Sequence, residues 1–331
     1  MKKKLMVFFM LTALLLVTLT GCQNSGGKKQ VTLNEVAHSV FYAPMYVALE
    51  EGYFEEEGLE VTLVTGFGAD KTMTALLSDE ADIGFMGPET TVYTYQGDME
   101  DYAVNFAQLT QRAGNFLVSR QQEENFSFAD LKGKEVLGGR AGGMPQMVFE
   151  YILKKNGLDP KTDLLIDQSI DFGATAAAFS GGQAEYTVEF EPHATLLEQK
   201  GDGYVIASLG EESGYVPYTA FSAKKSYIEQ NPEIVEAFTR GLQKGMDYVN
   251  SHTPEEIAAA IKPQFEEMDE STLATIIGRY QNQDTWKEDL VFSQDSFELL
   301  IDILMDAGVI EERAVYEELV NTDFAAKVGS K

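Results

Sequence analysis

The chain has 331 residues, of which 53 are acidic and 25 are lysine or arginine, for a net charge of −28. So acidic a surface repels phosphate backbones and argues against nucleic-acid binding. A content of 44% hydrophobic and 11% aromatic residues can fill a core, which argues against disorder, and the length suits two ordinary domains or one large one.

The first segment is basic at Lys2, Lys3 and Lys4 and apolar from Leu5 to Leu19, the layout of an export signal. The apolar run is shorter than the roughly 20 residues a membrane span requires. It closes on Leu19-Thr20-Gly21-Cys22, which resembles a bacterial lipobox, in which the cysteine is lipidated and becomes the first residue of the mature protein. An ordinary secretory signal with an incidental cysteine is the alternative. Cys22 is the only cysteine, so no internal disulfide, cysteine-based metal cluster or redox pair is expected. Gln23 to Gln30 is polar with nothing to bury and reads as a flexible tether, with folded sequence expected from Val31.

Val31–Val36 alternates as a strand, 43–51 is helix-like and closed by Gly52, and Leu59–Val64 alternates again. A helix over 70–77 leads to a strand over 81–86, and Pro88 opens the next helix. This β-α-β-α-β order predicts a parallel sheet with helices on both faces. Further strands are expected over 102–109 and 116–119, and one is introduced by 130–137. A glycine-rich turn over 138–143 then precedes a helix from Pro145 to Asn156. Later strands are expected over 164–170, 186–190 and 203–208, and the pattern is mostly helical from Pro232 onward.

Phe41-Tyr42-Ala43-Pro44-Met45-Tyr46-Val47-Ala48, then Gly52-Tyr53-Phe54-Glu55-Glu56-Glu57-Gly58-Leu59, resembles the opening of the NMT1/THI5-like (SsuA/ThiY-type) solute-binding proteins of ABC importers. Ala81-Asp82-Ile83-Gly84, Asp130-Leu131-Lys132-Gly133-Lys134 and Met144-Pro145 follow in the family's order, so the resemblance spans the mature chain. It implies an α/β, two-lobe periplasmic-binding-protein fold (type II), with parallel-type sheets, flanking helices and a helical C-terminal region. Lobe 1 would comprise residues 31–113 and 214–331, and lobe 2 residues 114–213. Gln111 to Gly114 and Glu212 to Tyr215 would be the hinge crossings. It also implies a small-molecule solute held between the lobes, a permease with its cytoplasmic ATPase as partners, and a monomer moored by acyl chains outside the cytoplasmic membrane.

Open α/β sheets bind ligands beyond the carboxyl ends of their strands, which nominates three loops. In the first, His38, Ser39, Phe41 and Tyr42 offer a stacking face and a hydrogen-bonding edge to a flat ligand. Phe41 and Tyr42 as lobe core, with His38 solvated, is the alternative. The second comprises Gly68 with Asp70, and Gly87 with Glu89 and Thr90, two strand-to-helix turns whose N–H groups can meet a ligand. Asp70 and Glu89 would also serve as simple complements to the helix dipole. An acid at Glu89 occupies the field a sulfonate would use, which argues against such an anion. In the third, Arg140, Gly142, Gly143 and Met144 allow close backbone approach, without the spacing of a phosphate loop or a dinucleotide fingerprint; a plain tight turn is the alternative.

Glu189 and Glu191 end a strand where related proteins carry a ligand-facing Glu-Pro pair, and either would accept hydrogen bonds from an exocyclic amine. A solvated acidic corner is the alternative. Tyr186, Tyr215 and Tyr218 are wall candidates, and Tyr280 and Trp286 are candidates to close the cleft or to serve as core. No nucleophile elbow, HExxH or paired-histidine motif occurs, so no catalytic residue, metal or cofactor is expected. The expected ligand is a small heteroaromatic resembling a thiamine-pyrimidine precursor. Sulfonate-type or nitrate-type anions, a riboflavin-like solute, and a pyrimidine-biosynthesis enzyme of the same fold are the alternatives.

Overall fold

A computed structural model describes residues 27–97, 99–138, 141–170 and 172–329. Cys22, the export signal, the first half of the expected tether and Arg140 lie outside the described residues. Two five-stranded sheets carry the molecule. The first contains β1 (Lys29–Glu35), β2 (Leu59–Thr65), β3 (Ile83–Met86), β4 (Ala103–Thr110) and a late strand, Thr219–Lys224. The second contains β5 (Asn115–Ser119), β6 (Glu135–Leu137), β7 (Leu165–Asp167), β8 (Tyr186–Phe190) and β9 (Tyr204–Ser208). The late strand of the first sheet is β10.

The orders are β2-β1-β3-β10-β4 and β7-β6-β8-β5-β9. The βαβ units pair in parallel, β1 with β2 and β3, and β6 with β7 and β8. Each sheet is nevertheless mixed, because β10 and β5 run antiparallel to both of their neighbours. Both strands are the first to enter their sheet from the other half of the chain. They arrive by a short crossing rather than by a helical crossover, which a parallel partner would require.

Five elements depart from expectation. β1 begins at Lys29 rather than Val31; its two polar residues pair with Leu59 and Glu60 at the sheet's margin, so burial gave no sign of them. The strand over 164–170 shrinks to three residues with Leu165 exposed, as suits a sheet edge. The strands expected from 81 and 116 begin at Ile83 and Asn115. β10 was not expected at all, since its sequence TAFSAK carries little apolar weight.

Helix α1 (Ala43–Glu50) follows β1, α2 (Ala69–Leu77) follows β2, and α3 (Glu89–Gln96) follows β3. In the second half α4 (Met144–Lys155) follows β6 and α5 (His193–Lys200) follows β8. The C-terminal region is helical as expected, with α6 (Pro232–Ser251), α7 (Pro254–Ile261), α8 (Glu270–Asn282) and α9 (Gln294–Ala307). Thr253 opens α7 with a capping box to Glu256, and Asp269 caps α8 at the Thr272 N–H. The long α6 packs against α1 through Gly245, where a Cβ would stand 2.1 Å from the Pro44 carbonyl oxygen. Only a residue without a side chain permits that approach.

The core of the first half stacks Phe85 on Phe221 at 4.2 Å between ring centres, with Phe238 of α6 beside Phe221 at 5.4 Å. The C-terminal helices do not stay with the first sheet. Arg279 of α8 pairs with Glu191 and Glu198 beside the second sheet, and Lys154 of α4 meets Asp306 of α9 at 2.7 Å.

Candidate functional site

The carboxyl ends of β1, β3, β6 and β8 face one another, and the loops that leave them are in contact. The Ser39 hydroxyl donates to the Glu191 carbonyl at 3.2 Å, and the Tyr93 hydroxyl of α3 donates to the Gly142 carbonyl at 3.3 Å. The chain crosses between sheets at 111–114 and again at 209–218. Those crossings run side by side: Val216 N–H donates to the Gln111 carbonyl at 2.8 Å, and the Arg112 guanidinium lies 4.3 Å over the Tyr215 ring.

A cluster of aromatic rings fills the junction. Phe41 is fully buried and lies 5.4 Å from Tyr42, 5.8 Å from Tyr218, 5.2 Å from Tyr280 and 6.0 Å from Phe190. It reaches that place because Ser39 caps a one-turn helix, accepting from the Phe41 N–H, and because Gly114 leaves room for its ring. A Cβ on Gly114 would meet that ring at 2.6 Å. Loops from both sheets thus contribute to one hydrophobic body, Phe41, Tyr42 and Tyr218 from one side and Phe190 from the other.

Glu89 is buried at the start of α3, folded back over Gly87, while the Thr90 hydroxyl returns to the Gly87 carbonyl at 2.8 Å. Its charge is felt by Tyr42 and Tyr218. Burial first, then nearby charges that include Glu89, raise both phenols above their ordinary value. A carboxylate amid phenol rings suits a ligand rich in hydrogen-bond donors.

Several expected residues have other duties. His38 offers no free edge: Nδ1 lies 2.9 Å from Glu35 and Nε2 2.8 Å from the Gln264 carbonyl, while its ring stacks on Phe265. Burial opposes its charge, but the bonds to Glu35 and Gln264 outweigh it and raise its pKa above 6.5. Glu191 is also committed: its carboxylate accepts from the Thr195 N–H and hydroxyl, each at 2.9 Å, and from Arg279 at 2.9 Å. It anchors the start of α5 to α8. Gly68 and Asp70 sit on the turn after the edge strand β2, with Gly68 N–H bonded to the Val36 carbonyl. Gly142 donates to Gln146 at 2.7 Å, Gly143 caps α4, and Met144 is buried.

Tyr186 lies at the opposite end of β8, against Phe126, and Tyr215 is exposed with its hydroxyl on Asp284. Tyr280 and Trp286 back the aromatic cluster from behind: Tyr280 donates to the Gly114 carbonyl at 3.0 Å and Trp286 Nε1 to the Phe41 carbonyl at 2.9 Å. Glu189 is buried and accepts from the Thr187 hydroxyl at 2.6 Å. Burial raises its pKa to about 7 despite the threonine hydroxyls that favour its charge.

Asn115 escaped the sequence reading. It is fully buried at the first position of β5, and among the described residues neither its amide oxygen nor its amide nitrogen has a hydrogen-bond partner. Its register partner on β8 is Phe190. A polar residue at a strand start passes for a turn cap in sequence; its place directly after an expected hinge crossing was the available signal. A surface hollow of about 760 Å³ elsewhere, lined by Tyr95, Met99 and Val309 among others, involves none of these groups.

Two mixed α/β sheets with facing carboxyl ends and paired crossings define the periplasmic-binding-protein class of fold. The NMT1/THI5-like family model matches residues 40–257, and the chain belongs to that family. It is 44% identical over 317 residues to the putative binding protein YtlA of Bacillus subtilis, covering 96% of this chain and 95% of the relative. It is 23% identical to the formylaminopyrimidine-binding protein of Halalkalibacterium halodurans, over 81% of this chain and 84% of that protein. The structure of the alkanesulfonate-binding protein SsuA from Xanthomonas axonopodis pv. citri superposes with a TM-score of 0.72 at 14% identity, covering 90% of this chain and all of that one. At that identity the likeness is one of fold.

Proposed function

We propose that the protein is the extracytoplasmic solute-binding component of an ABC importer, binding a small nitrogen-containing heteroaromatic between two lobes and handing it unchanged to a permease. Lobe 1 holds the first sheet and lobe 2 the second, hinged at the paired crossings. Acyl chains on Cys22 would moor it to the membrane.

One observation carries the reading: Phe41, Tyr42, Phe190 and Tyr218 gather with Glu89 where the carboxyl ends of the two sheets meet. Flat rings supply stacking area, and the carboxylate accepts from ring or exocyclic N–H groups. The same carboxylate disfavours a sulfonate or nitrate, which would bring a second negative charge into a buried site. The likeness to a formylaminopyrimidine-binding protein agrees with this choice. Closure follows from differential affinity alone, with no bond made or broken.

Native mass spectrometry of freshly purified protein tests it by weighing any bound solute, followed by calorimetry with an aminopyrimidine and with taurine. Saturable aminopyrimidine binding with the ligand recovered intact is expected. Tight taurine binding with none of the aminopyrimidine refutes the choice of ligand, and turnover of the pyrimidine refutes the carrier.

A further inference from the structure

Asn115 and Tyr218 are buried polar residues at the junction. Among the described residues Asn115, fully buried, has both amide atoms unpartnered, and the Tyr218 hydroxyl, at 3% exposure, has no hydrogen-bond partner either. A buried group in that condition loses its bonds to water and gains none in return, so such groups are retained where something completes them. They also face the same place. Asn115 opposes Phe190 in the β5–β8 ladder, so the two side chains share a face of the sheet, and the Phe190 ring is 6.1 Å from the Tyr218 ring.

We propose that Asn115 and Tyr218 determine the protein's specificity by reading an amidine-type edge of the ligand, an exocyclic amine beside a ring nitrogen. This rests on the heteroaromatic reading above and names the part of the ligand that is recognised. The Asn115 amide carries a carbonyl acceptor and an NH₂ donor side by side. An amine next to a ring nitrogen presents the complementary donor and acceptor in one plane, the pairing by which asparagine reads adenine. A sulfonate or nitrate offers acceptors only, so it would satisfy the amide nitrogen and leave the amide oxygen unbonded. The Tyr218 hydroxyl, which can rotate to donate or accept, takes a further polar atom of the ligand. The Phe41 and Phe190 rings, edge to face with centres 6.0 Å apart, form the apolar wall beside these polar groups.

The test uses the purified full-length protein, with two probes that differ in one group: an aminopyrimidine and the same ring with methyl in place of the amine. Asn115→Leu keeps the size and removes both polar atoms; Asn115→Ala removes them together with the bulk; Tyr218→Phe keeps the ring. In calorimetry Asn115→Leu is expected to weaken the aminopyrimidine roughly 10- to 100-fold and the methyl analogue little. Tyr218→Phe is expected to weaken both by about 5-fold. Without ligand, Asn115→Leu is expected to melt a few degrees above the wild type, because an unpaired buried amide has gone. Should the leucine variant not fold, Asn115→Ala gives the same comparison of probes.

Unchanged aminopyrimidine affinity in the Asn115 variants, or equal losses for both probes, overturns the inference while leaving the heteroaromatic reading in place. A lowered melting temperature in ligand-free Asn115→Leu, with equal losses, marks a structural role and overturns it too. A wild type that binds taurine and neither pyrimidine overturns both the inference and the reading beneath it.

Discussion

Replacing Glu189 by glutamine tests the electrostatics of the second sheet directly. The carboxyl is 2% exposed, and burial lifts its pKa from the ordinary 4.5 to about 7. Between those two values the folded protein holds a proton that the unfolded chain has released. Stability therefore falls as pH rises through that window, and the contribution is complete only below 4.5. At about 1.4 kcal/mol per pH unit, the gap amounts to about 3 kcal/mol by pH 8. Glutamine has the shape of the protonated acid, can still accept from the Thr187 hydroxyl, and has no proton to lose. Wild type and Glu189→Gln should thus be nearly equal in urea unfolding near pH 4.5, with the variant more stable by about 3 kcal/mol at pH 8. Parallel stability curves across the range would show that Glu189 ionises in the fold as freely as in water, and would refute the reasoning.

Two further outcomes follow from bonds that span distant elements. Glu191→Ala removes the acceptor for the Thr195 N–H, the Thr195 hydroxyl and Arg279, and should lower stability by about 3 kcal/mol, read as an earlier urea midpoint; a loss below about 1 kcal/mol would contradict its anchoring role. His38→Gln should cost stability below pH 6.5, where the imidazolium bridges Glu35 and the Gln264 carbonyl, and the cost should vanish as pH rises through the raised folded pKa. Thermal melts of both proteins across that range check it, and a gap that widens with pH reverses the sign.

Local order made half of the fold readable. The alternation of Val31–Val36 and Leu59–Val64, with Gly52 and Pro88 as punctuation, fixes the parallel β1, β2 and β3 and hence the loops at their ends. β10 was invisible because Thr219, Ala220 and Ser222 owe their burial to neighbours on β3 and β4 more than a hundred positions away. The same distance hid the duties of His38 and Glu191, whose partners Gln264 and Arg279 belong to the C-terminal helices. Phe41, Tyr42 and Glu89 could be nominated because a loop after a strand has a known place in an open sheet. Asn115 was missed because its significance lies in bonds it does not make.

The position of β10 between β3 and β4 governs when this molecule can take shape. A ribosome that has delivered both of those strands has still to make every residue up to Lys224 before the gap between them can be filled. Until then two strand margins of the first sheet stand open, whereas the last strand of the second sheet has been made by Ser208. The half of the molecule begun first is therefore the last to have all its strands.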